Sequence, residues 1–262
     1  MKISAGIKNS ILALLRSVLQ VFGLTVFVKK DGRHYVPDYF GKSAHKQLDI
    51  RTLPVFGEIA GRVIQEKRAS LYYDRLFTVF QILSNWHIRL KQSDETLYTA
   101  EVGVYKGGTS YFMASVAKQL GMPIRHFCFD TFEGHAAEDI NLSVETSHFP
   151  HAFNDTSFDS VKDYLKYFEN VSVHKGRIQD TAHILKDSFM HFVHLDMDIY
   201  EPTLFALQFF TDRMVHGGVI LLDDYGFETC PGIERAANEF LSVNKNYFGI
   251  ALLSGQYILV KL

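Results

Sequence analysis

One stretch of the chain decides the fold: LYTAEVGVYKGGTS, residues 97–110. It begins as an apolar run typical of a strand, and the pattern Thr109–Leu120 that follows predicts a helix. Glycines at the junction let the backbone approach a ligand closely, and the first helical turn offers free N–H groups. Because the glycine spacing is not GxGxxG, a dinucleotide fits poorly. We predict a strand–turn–helix unit that binds another kind of ligand.

Short apolar runs and helical patterns continue to alternate downstream of this unit. The alternation predicts a parallel sheet with helices on both faces. The predicted strands are Leu97–Val104, His126–Asp130, Val171–His174, Phe192–Asp196 and Val219–Asp223, and the predicted helices between them are Thr109–Leu120, Ser157–Phe168, Ala182–Lys186 and Thr203–Met214.

The end of the chain departs from this alternation. A helix over Ile233–Ser242 is followed by two apolar runs, Phe248–Leu253 and Tyr257–Leu262, and a short glycine-containing joint connects them. The joint predicts a β-hairpin, so one strand of the sheet runs antiparallel. We therefore expect an α/β fold with a doubly wound, mostly parallel seven-stranded sheet and a C-terminal antiparallel hairpin. This is the Rossmann-like plan of class I methyltransferases.

Composition excludes several classes of protein. The 262 residues carry a net charge of −2 and no basic stripe, so nothing indicates a nucleic-acid partner. The two cysteines, Cys128 and Cys230, share no metal-binding spacing and indicate a reduced intracellular environment. We expect a cytoplasmic protein.

The N-terminal region has a different character. Residues 9–28 are apolar, but Arg16 near their middle makes a membrane span marginal. Apolar residues at helical spacing between Ile7 and Phe22 favour an amphipathic helix. We predict this helix and a polar linker over residues 1–50, then a catalytic domain over 51–262 with a helical lead-in, 51–94. The helix would pack or form a homo-oligomer; weak contact of residues 7–28 with a membrane surface is the alternative.

Acidic and amide side chains lie in or just after the carboxyl-terminal parts of three predicted strands. Glu101 lies two residues before Gly103, which suits a cationic ligand such as the sulfonium of S-adenosylmethionine (SAM). Asp130 ends the second strand, where acids of open α/β sheets commonly bind ribose hydroxyls, although it could simply cap a turn. Gln179 or Asp180 could meet an adenine edge, while Asp180 could equally cap a helix.

Three aspartates end two further strands. Asp196 follows one strand, and Asp223 and Asp224 end the next, with room for one helix between them. Neighbouring strands would bring these carboxylates together, and like charges at such distances repel unless a cation neutralises them. Hard oxygen ligands favour Mg²⁺, which would make a nearby hydroxyl easier to deprotonate. The sequence therefore predicts a divalent metal site.

The chain resembles the macrocin O-methyltransferase family, which modifies deoxysugar hydroxyls of macrolides, in the motifs AEVGVYKGGTS, FDTFEG, GRIQDT, HLDMDIYEPT and GGVILLDDYG…CPGIERA. The aspartate arrangement is more distantly similar to the metal site of catechol O-methyltransferases. The resemblance implies SAM as donor, Mg²⁺ or another divalent cation at Asp196, Asp223 and Asp224, and a sugar hydroxyl as acceptor. The expected cofactor-binding residues of these motifs are Glu101, Gly103, Tyr105, Gly107, Thr109, Ser110, Asp130, Thr131, Phe132, Gln179 and Asp180.

The residue that removes the acceptor proton stays open at this point. Asp198, two residues past Asp196, is one candidate, Asp196 itself is another, and His135 is a third because its ordinary pKa suits proton transfer. Residues 134–158 form a long polar stretch that is typical of a lid or binding segment. Within it, His148 and His151 could hold zinc, although exposed or substrate-facing imidazoles are the favoured interpretation.

Two alternative functions remain at the sequence level. The acceptor could be a catechol-like phenol or another small hydroxyl compound in place of a sugar. A non-catalytic interaction protein on the same fold is the alternative of another class, and the intact acidic and glycine positions argue against it.

Overall fold

The structure is a computed structural model that describes residues 18, 19, 40–43, 46–70, 72–91, 93 and 95–262. The chain forms two compact units, residues 1–36 and 37–262. The strands and helices that surround the candidate site belong to the second unit. The predicted amphipathic helix lies outside the described residues except for Val18 and Leu19, which are helical. No helix among the described residues is long and apolar enough to cross a membrane.

A seven-stranded sheet organises the second unit, as the alternating pattern predicts. A short hairpin of β1 (Phe40–Ser43) and β2 (Lys46–Asp49) precedes it. The strands of the sheet are β3 Leu97–Val102, β4 Ile124–Asp130, β5 Val171–Lys175, β6 Met190–Leu195, β7 Met214–Leu222, β8 Tyr247–Ala251 and β9 Tyr257–Lys261. They lie in the order β5-β4-β3-β6-β7-β9-β8, and β9 runs opposite to the other six, so its pairings with β7 and β8 are antiparallel. The predicted fold and its terminal hairpin are confirmed.

Helices cover both faces of this sheet. They are α1 Phe56–Gln65, α2 Tyr73–Leu90, α3 Gly108–Gln119, α4 Phe158–Leu165, α5 Ile178–Thr181, α6 Tyr200–Phe210 and α7 Pro231–Val243. In β7 the side chains alternate between faces: Leu221 packs with α1, α2 and α3, whereas Ile220 and Leu222 pack with α6 and α7. This burial on both sides explains why the central strands are continuous apolar runs.

Three segments differ from the sequence-based expectation. The helix predicted over Thr203–Met214 ends at Phe210, and Met214 already belongs to β7. The strand β7 continues through Gly217 and Gly218, a pair that is typical of a loop in the sequence. The register of β7 against β6 shifts at this point, and Gly217 has φ 76°. Within the predicted polar linker, β1 (Phe40–Ser43) and β2 (Lys46–Asp49) pair as an antiparallel hairpin. Ala182–Leu185 is a 3₁₀ turn after the short α5.

Candidate active site

The turn after β3 lies directly against the end of β6. Gly103 has φ 89°, and a Cβ atom there would lie 1.7 Å from the carbonyl oxygen of Asp196. Only glycine combines this left-handed conformation with such close packing. The turn after β3 and the end of β6 that carries Asp196 are therefore fixed beside each other by backbone contact.

Glu101 is buried at the base of this turn and is held by two neighbours. The Ser110 hydroxyl donates a hydrogen bond to Glu101 Oε2, and His194 Nδ1 lies 3.2 Å from Oε1. Burial opposes a charge on His194, but the Glu101 carboxylate and the charges of Asp196 and Asp223 together raise its pKa to about 9. A protonated His194 thus connects Glu101 with the aspartates.

Asp130 is fixed by backbone donors at the end of β4. The N–H of Tyr105 donates to its Oδ2 at 2.7 Å, and the N–H of Phe132 donates to its Oδ1 at 2.6 Å. Burial raises the pKa of Asp130, and these two hydrogen bonds oppose that shift. The carboxylate closes its own turn and also faces the cavity described below.

Gln179 lies in a polar cluster that the sequence did not predict. Asp139 Oδ1 accepts hydrogen bonds from Gln179 Nε2 at 2.9 Å and from Arg177 Nη2 at 2.6 Å. Gln179 Oε1 is buried with no hydrogen-bond partner within the described chain, so the amide is oriented with an acceptor still available. Asp180 is exposed inside α5, whose N-cap residue is Arg177, so it does not cap the helix.

A cavity of about 320 Å³ opens among these residues. Most of the predicted site residues line it: Glu101, Gly103, Tyr105, Thr109, Asp130, Thr131, His135, Gln179, Asp196, Asp198 and Asp224. The other predicted residues are not part of the lining. Ser110 supports Glu101, Phe132 packs in the core, Gly107 is the N-cap residue of α3, Asp223 is buried, and Asp180 is exposed.

Four aspartates meet at the tips of β6 and β7 on the other side of the cavity. Donor atoms of Asp196, Asp223 and His194 lie within 4.8 Å of one another, and the same holds for Asp198, Asp224 and Cys230. The predicted trio of Asp196, Asp223 and Asp224 is therefore divided between two adjacent groups.

Arg75 of α2 reaches into this aspartate cluster. Its Nη1 donates to Asp223 Oδ2, and its Nη2 donates to Asp224 Oδ1 at 2.7 Å. Only 6% of the arginine side chain is exposed. Although burial opposes its charge, the two carboxylates raise the pKa of Arg75 above its ordinary value. One guanidinium thus neutralises part of the negative charge of four carboxylates.

Burial and the remaining negative charge raise the pKa values of three of the aspartates. Burial and then the charges of Asp223 and Asp224 raise the pKa of Asp196 well above its ordinary value. Burial and the neighbouring Asp224 do the same for Asp198. Asp223 has a pKa of about 6 because burial outweighs its ion pair with Arg75. Perturbation by burial and like charge in a cleft is typical of a functional site.

The long segment between β4 and α4 contributes part of the cavity wall. Glu145 Oε1 accepts a hydrogen bond from the N–H of Tyr200 at 2.8 Å, at the start of α6. His135 Nε2 lies 3.2 Å from His148 Nδ1, whereas His151 Nδ1 faces the carbonyl of Glu133. Burial lowers the pKa of His135 to about 4 and also lowers that of His148. His148 therefore pairs with His135, not with His151.

Sequence reasoning missed Arg75 and Asp139. Arg75 could have been noticed as a charged residue among the apolar positions of α2, where Val79 and Leu83 are buried. Asp139 lies in an irregular segment without periodicity, and no sequence signal indicates its contact with Gln179.

Comparison with known proteins assigns the chain to a family. Residues 95–248 match the family Macrocin-O-methyltransferase (TylF). The chain belongs to the macrocin O-methyltransferase family. This confirms the resemblance seen in the sequence and the predicted enzyme class, SAM-dependent O-methyltransferases.

Individual relatives are similar to the chain over different lengths. A Streptomyces olivaceus 8-demethyl-8-(2,3-dimethoxy-alpha-L-rhamnosyl)-tetracenomycin-C 4'-O-methyltransferase is 27% identical over 139 residues, 50% of this chain and 53% of that protein. The match thus spans about half of that relative's length. The O-methyltransferase NovP superposes with a TM-score of 0.63 at 18% identity, covering 79% of this chain and 96% of NovP. CalS11, a calicheamicin methyltransferase, gives 0.55 at 16% identity, with coverages of 84% and 99%.

Proposed function

We propose that the protein transfers the methyl group of SAM to a hydroxyl of a sugar or glycosylated small molecule, with a divalent metal at Asp196, Asp223 and Asp224. One observation carries this proposal: the Glu101–Gly103 turn, Asp130 and the aspartate cluster all face one cavity. The tetracenomycin relative, whose name specifies methylation of a rhamnosyl group, supports the sugar acceptor. Phe153, Phe227 and Tyr72 add aromatic surface to the wall, as is common in small-molecule sites.

The donor would bind along the carboxyl ends of β3, β4 and β5. Glu101 and its neighbours suit the amino acid part of SAM, Asp130 suits the ribose, and Gln179 with its available Oε1 suits the adenine. The Gly103 turn would then position the sulfonium beside Asp196. Holding the methyl carbon in line with the acceptor oxygen is the main contribution of such a site.

The aspartates fit a hard divalent cation in their chemistry. Arg75 donates hydrogen bonds to Asp223 Oδ2 and Asp224 Oδ1. The other oxygen of Asp223, Oδ1, is buried and has no hydrogen-bond partner of normal geometry in the described chain. Carboxylate oxygens are the ligands that Mg²⁺ prefers, and the excess of negative charge favours a cation. When bound, the ion would lower the pKa of the acceptor hydroxyl.

Asp198 is the residue that we propose as general base. It lines the cavity, its Oδ2 lies 4.0 Å from His135 Nε2, and burial together with the neighbouring Asp224 raises its pKa, which makes the carboxylate a stronger base. As the acceptor oxygen forms its bond to the methyl carbon, the carbon–sulfur bond breaks, the sulfonium becomes a neutral thioether, and the hydroxyl proton goes to Asp198. His135, at the same edge, would keep that carboxylate oriented.

Substitution of the aspartates tests the proposal. We expect Asp196→Asn and Asp223→Asn to abolish release of S-adenosylhomocysteine while SAM binding by calorimetry stays within a few-fold. Asp187→Asn is the matched control, because that side chain is 87% exposed. Assays of methyl transfer to a panel of sugars, glycosides and phenols identify the acceptor. Preferential turnover of catechol-like phenols would contradict the proposal that the acceptor is a sugar. Full activity in excess EDTA would exclude a metal requirement. Absence of SAM binding would exclude the proposed methyltransferase activity.

A further inference from the structure

A second group of potential metal ligands lies beside the aspartates assigned to the divalent cation. His135 Nε2 lies 3.2 Å from His148 Nδ1 and 4.0 Å from Asp198 Oδ2. One donor atom from each of the three side chains falls within 4.8 Å of the other two. The histidines come from the segment between β4 and α4, and the aspartate follows β6, so the group joins two separate parts of the chain.

Accessibility and donor chemistry both suit an ion. His135 and Asp198 have side-chain exposures of 10% and 19%, so they are partly shielded yet reachable from the cavity that they line. An imidazole is largely uncharged at neutral pH and then offers a lone pair to a metal. Two nitrogens and one carboxylate therefore converge with little mutual repulsion within the group, whereas the neighbouring Asp196, Asp223 and Asp224 are all carboxylates.

Cys230 orients one of the two histidines. Its Sγ lies 3.4 Å from Nε2 of His148 and 3.9 Å from Oδ1 of Asp198. A partner on the outer nitrogen fixes the ring and leaves the inner nitrogen to the ion, an arrangement that metal-binding histidines almost always show. With Nε2 held by the thiol, Nδ1 of His148 faces His135.

We propose that His135, His148 and Asp198 bind a first-row transition-metal dication such as Zn²⁺, separately from the oxygen-rich site of Asp196, Asp223 and Asp224. Imidazole ligands suit zinc and its neighbours, whereas carboxylates alone suit magnesium. Zinc sites with two histidines and one carboxylate commonly keep a fourth position open for water or another ligand. The donor set here has that composition.

An ion at this site would regulate the enzyme. It would engage the Asp198 carboxylate and fix the segment 134–157 over the acceptor side of the cavity. If Asp198 is the general base, as the proposed function holds, zinc would inhibit methyl transfer. Binding itself does not depend on the proposed function.

Titration of the full-length protein with Co²⁺ tests binding directly, with excess Mg²⁺ present to fill the oxygen-rich site. We expect one equivalent of Co²⁺ to give the visible absorption of a four- or five-coordinate nitrogen-containing site. Replacement of a ligand, in His135→Gln and in His148→Gln, should weaken Co²⁺ binding by at least about tenfold. His151→Gln is the matched control from the same segment, because His151 faces the Glu133 carbonyl and lies outside the group.

Each outcome decides the proposal. Wild-type affinity in both His135→Gln and His148→Gln, or the absence of any bound Co²⁺, would overturn it. Loss of the absorption in Asp196→Asn but not in the histidine variants would assign the ion to the aspartates and also overturn it. If His148→Gln fails to fold, as thermal unfolding would show, His135→Gln decides alone. A protein inactive in methyl transfer that still binds Co²⁺ through the histidines separates failure of the proposed function from failure of this inference.

Discussion

Gly103 occupies a backbone position that no other residue can adopt without movement. Its φ is 89°, and the space for a Cβ is filled by the carbonyl of Asp196 at 1.7 Å. We expect Gly103→Ala to push the turn and the end of β6 apart, with at least a tenfold loss of SAM affinity and a destabilisation above about 2 kcal/mol. Calorimetric SAM titration and denaturant unfolding measure both effects.

Gly121 provides the matched control for this substitution. It also has a positive φ, 65°, but no atom of the described residues lies within 4 Å of a Cβ built there. Gly121→Ala should therefore show only the cost of the left-handed conformation, roughly 1–2 kcal/mol, with SAM affinity unchanged. Equal effects of the two substitutions would contradict the role assigned to close packing.

His126 should make the stability of the protein depend on pH. It is fully buried between Thr99 and Ser110, and burial lowers its pKa from 6.5 to about 4. Between pH 6.5 and 4, His126 is protonated in the unfolded chain but neutral in the native state. Its contribution to the free energy of unfolding is therefore complete above pH 6.5 and is lost as the pH falls toward 4. The slope approaches about 1.4 kcal/mol per pH unit.

His126→Gln isolates this term because glutamine keeps hydrogen-bonding groups but does not titrate. Denaturant unfolding between pH 4 and 7 should show that the wild type loses stability relative to the variant as the pH falls. Parallel pH profiles for the two proteins would mean that His126 titrates normally in the native state.

At the level of secondary-structure elements, α2 carries a buried charged residue, Arg75, among mainly apolar buried residues. Arg75 lies on the same helix as the buried Val79 and Leu83 and pairs with Asp223 and Asp224. Removal of one partner of a buried ion pair leaves an uncompensated charge, which typically costs about 3–5 kcal/mol. We expect this loss for Arg75→Ala in denaturant unfolding.

Arg62→Ala on α1 is the control for Arg75→Ala. The Arg62–Glu66 pair is a surface i,i+4 contact with side-chain exposures of 55% and 37%. Such exposed pairs contribute about 0–1 kcal/mol. A similarly small loss for Arg75→Ala would show that the aspartates do not depend on the guanidinium.

The sequence predicts which residues lie at the ends of the strands, but not the contacts between residues that are far apart in the chain. Acids at the ends of β6 and β7 were predictable, since parallel strands present their carboxyl ends at one edge of a sheet. The Arg75–Asp223 contact joins residues 148 positions apart, and no local pattern encodes such a pairing. The same limit hid the contacts of Asp139 and the Cys230–His148 pair. The continuation of β7 through Gly217 and Gly218 was missed because it depends on a register shift against β6.

For the whole molecule, the division at residue 36 leads to a test of the N-terminal region. Every described residue that lines the cavity lies within 37–262. A chain shortened to residues 37–262 should therefore bind SAM with an affinity within about twofold of the full chain. We propose that residues 1–36 mediate self-association, so the full chain should elute as an oligomer in size-exclusion chromatography and the shortened chain as a monomer.

Vesicle sedimentation decides between self-association and the alternative role of residues 7–28. An amphipathic helix at a membrane surface would carry the full chain, but not residues 37–262, down with anionic vesicles. Binding of the full chain to vesicles without a change in oligomeric state would replace self-association by membrane contact. If both forms elute as the same oligomer, the interface lies within 37–262. A loss of SAM affinity on shortening would mean that the site depends on residues that do not line it.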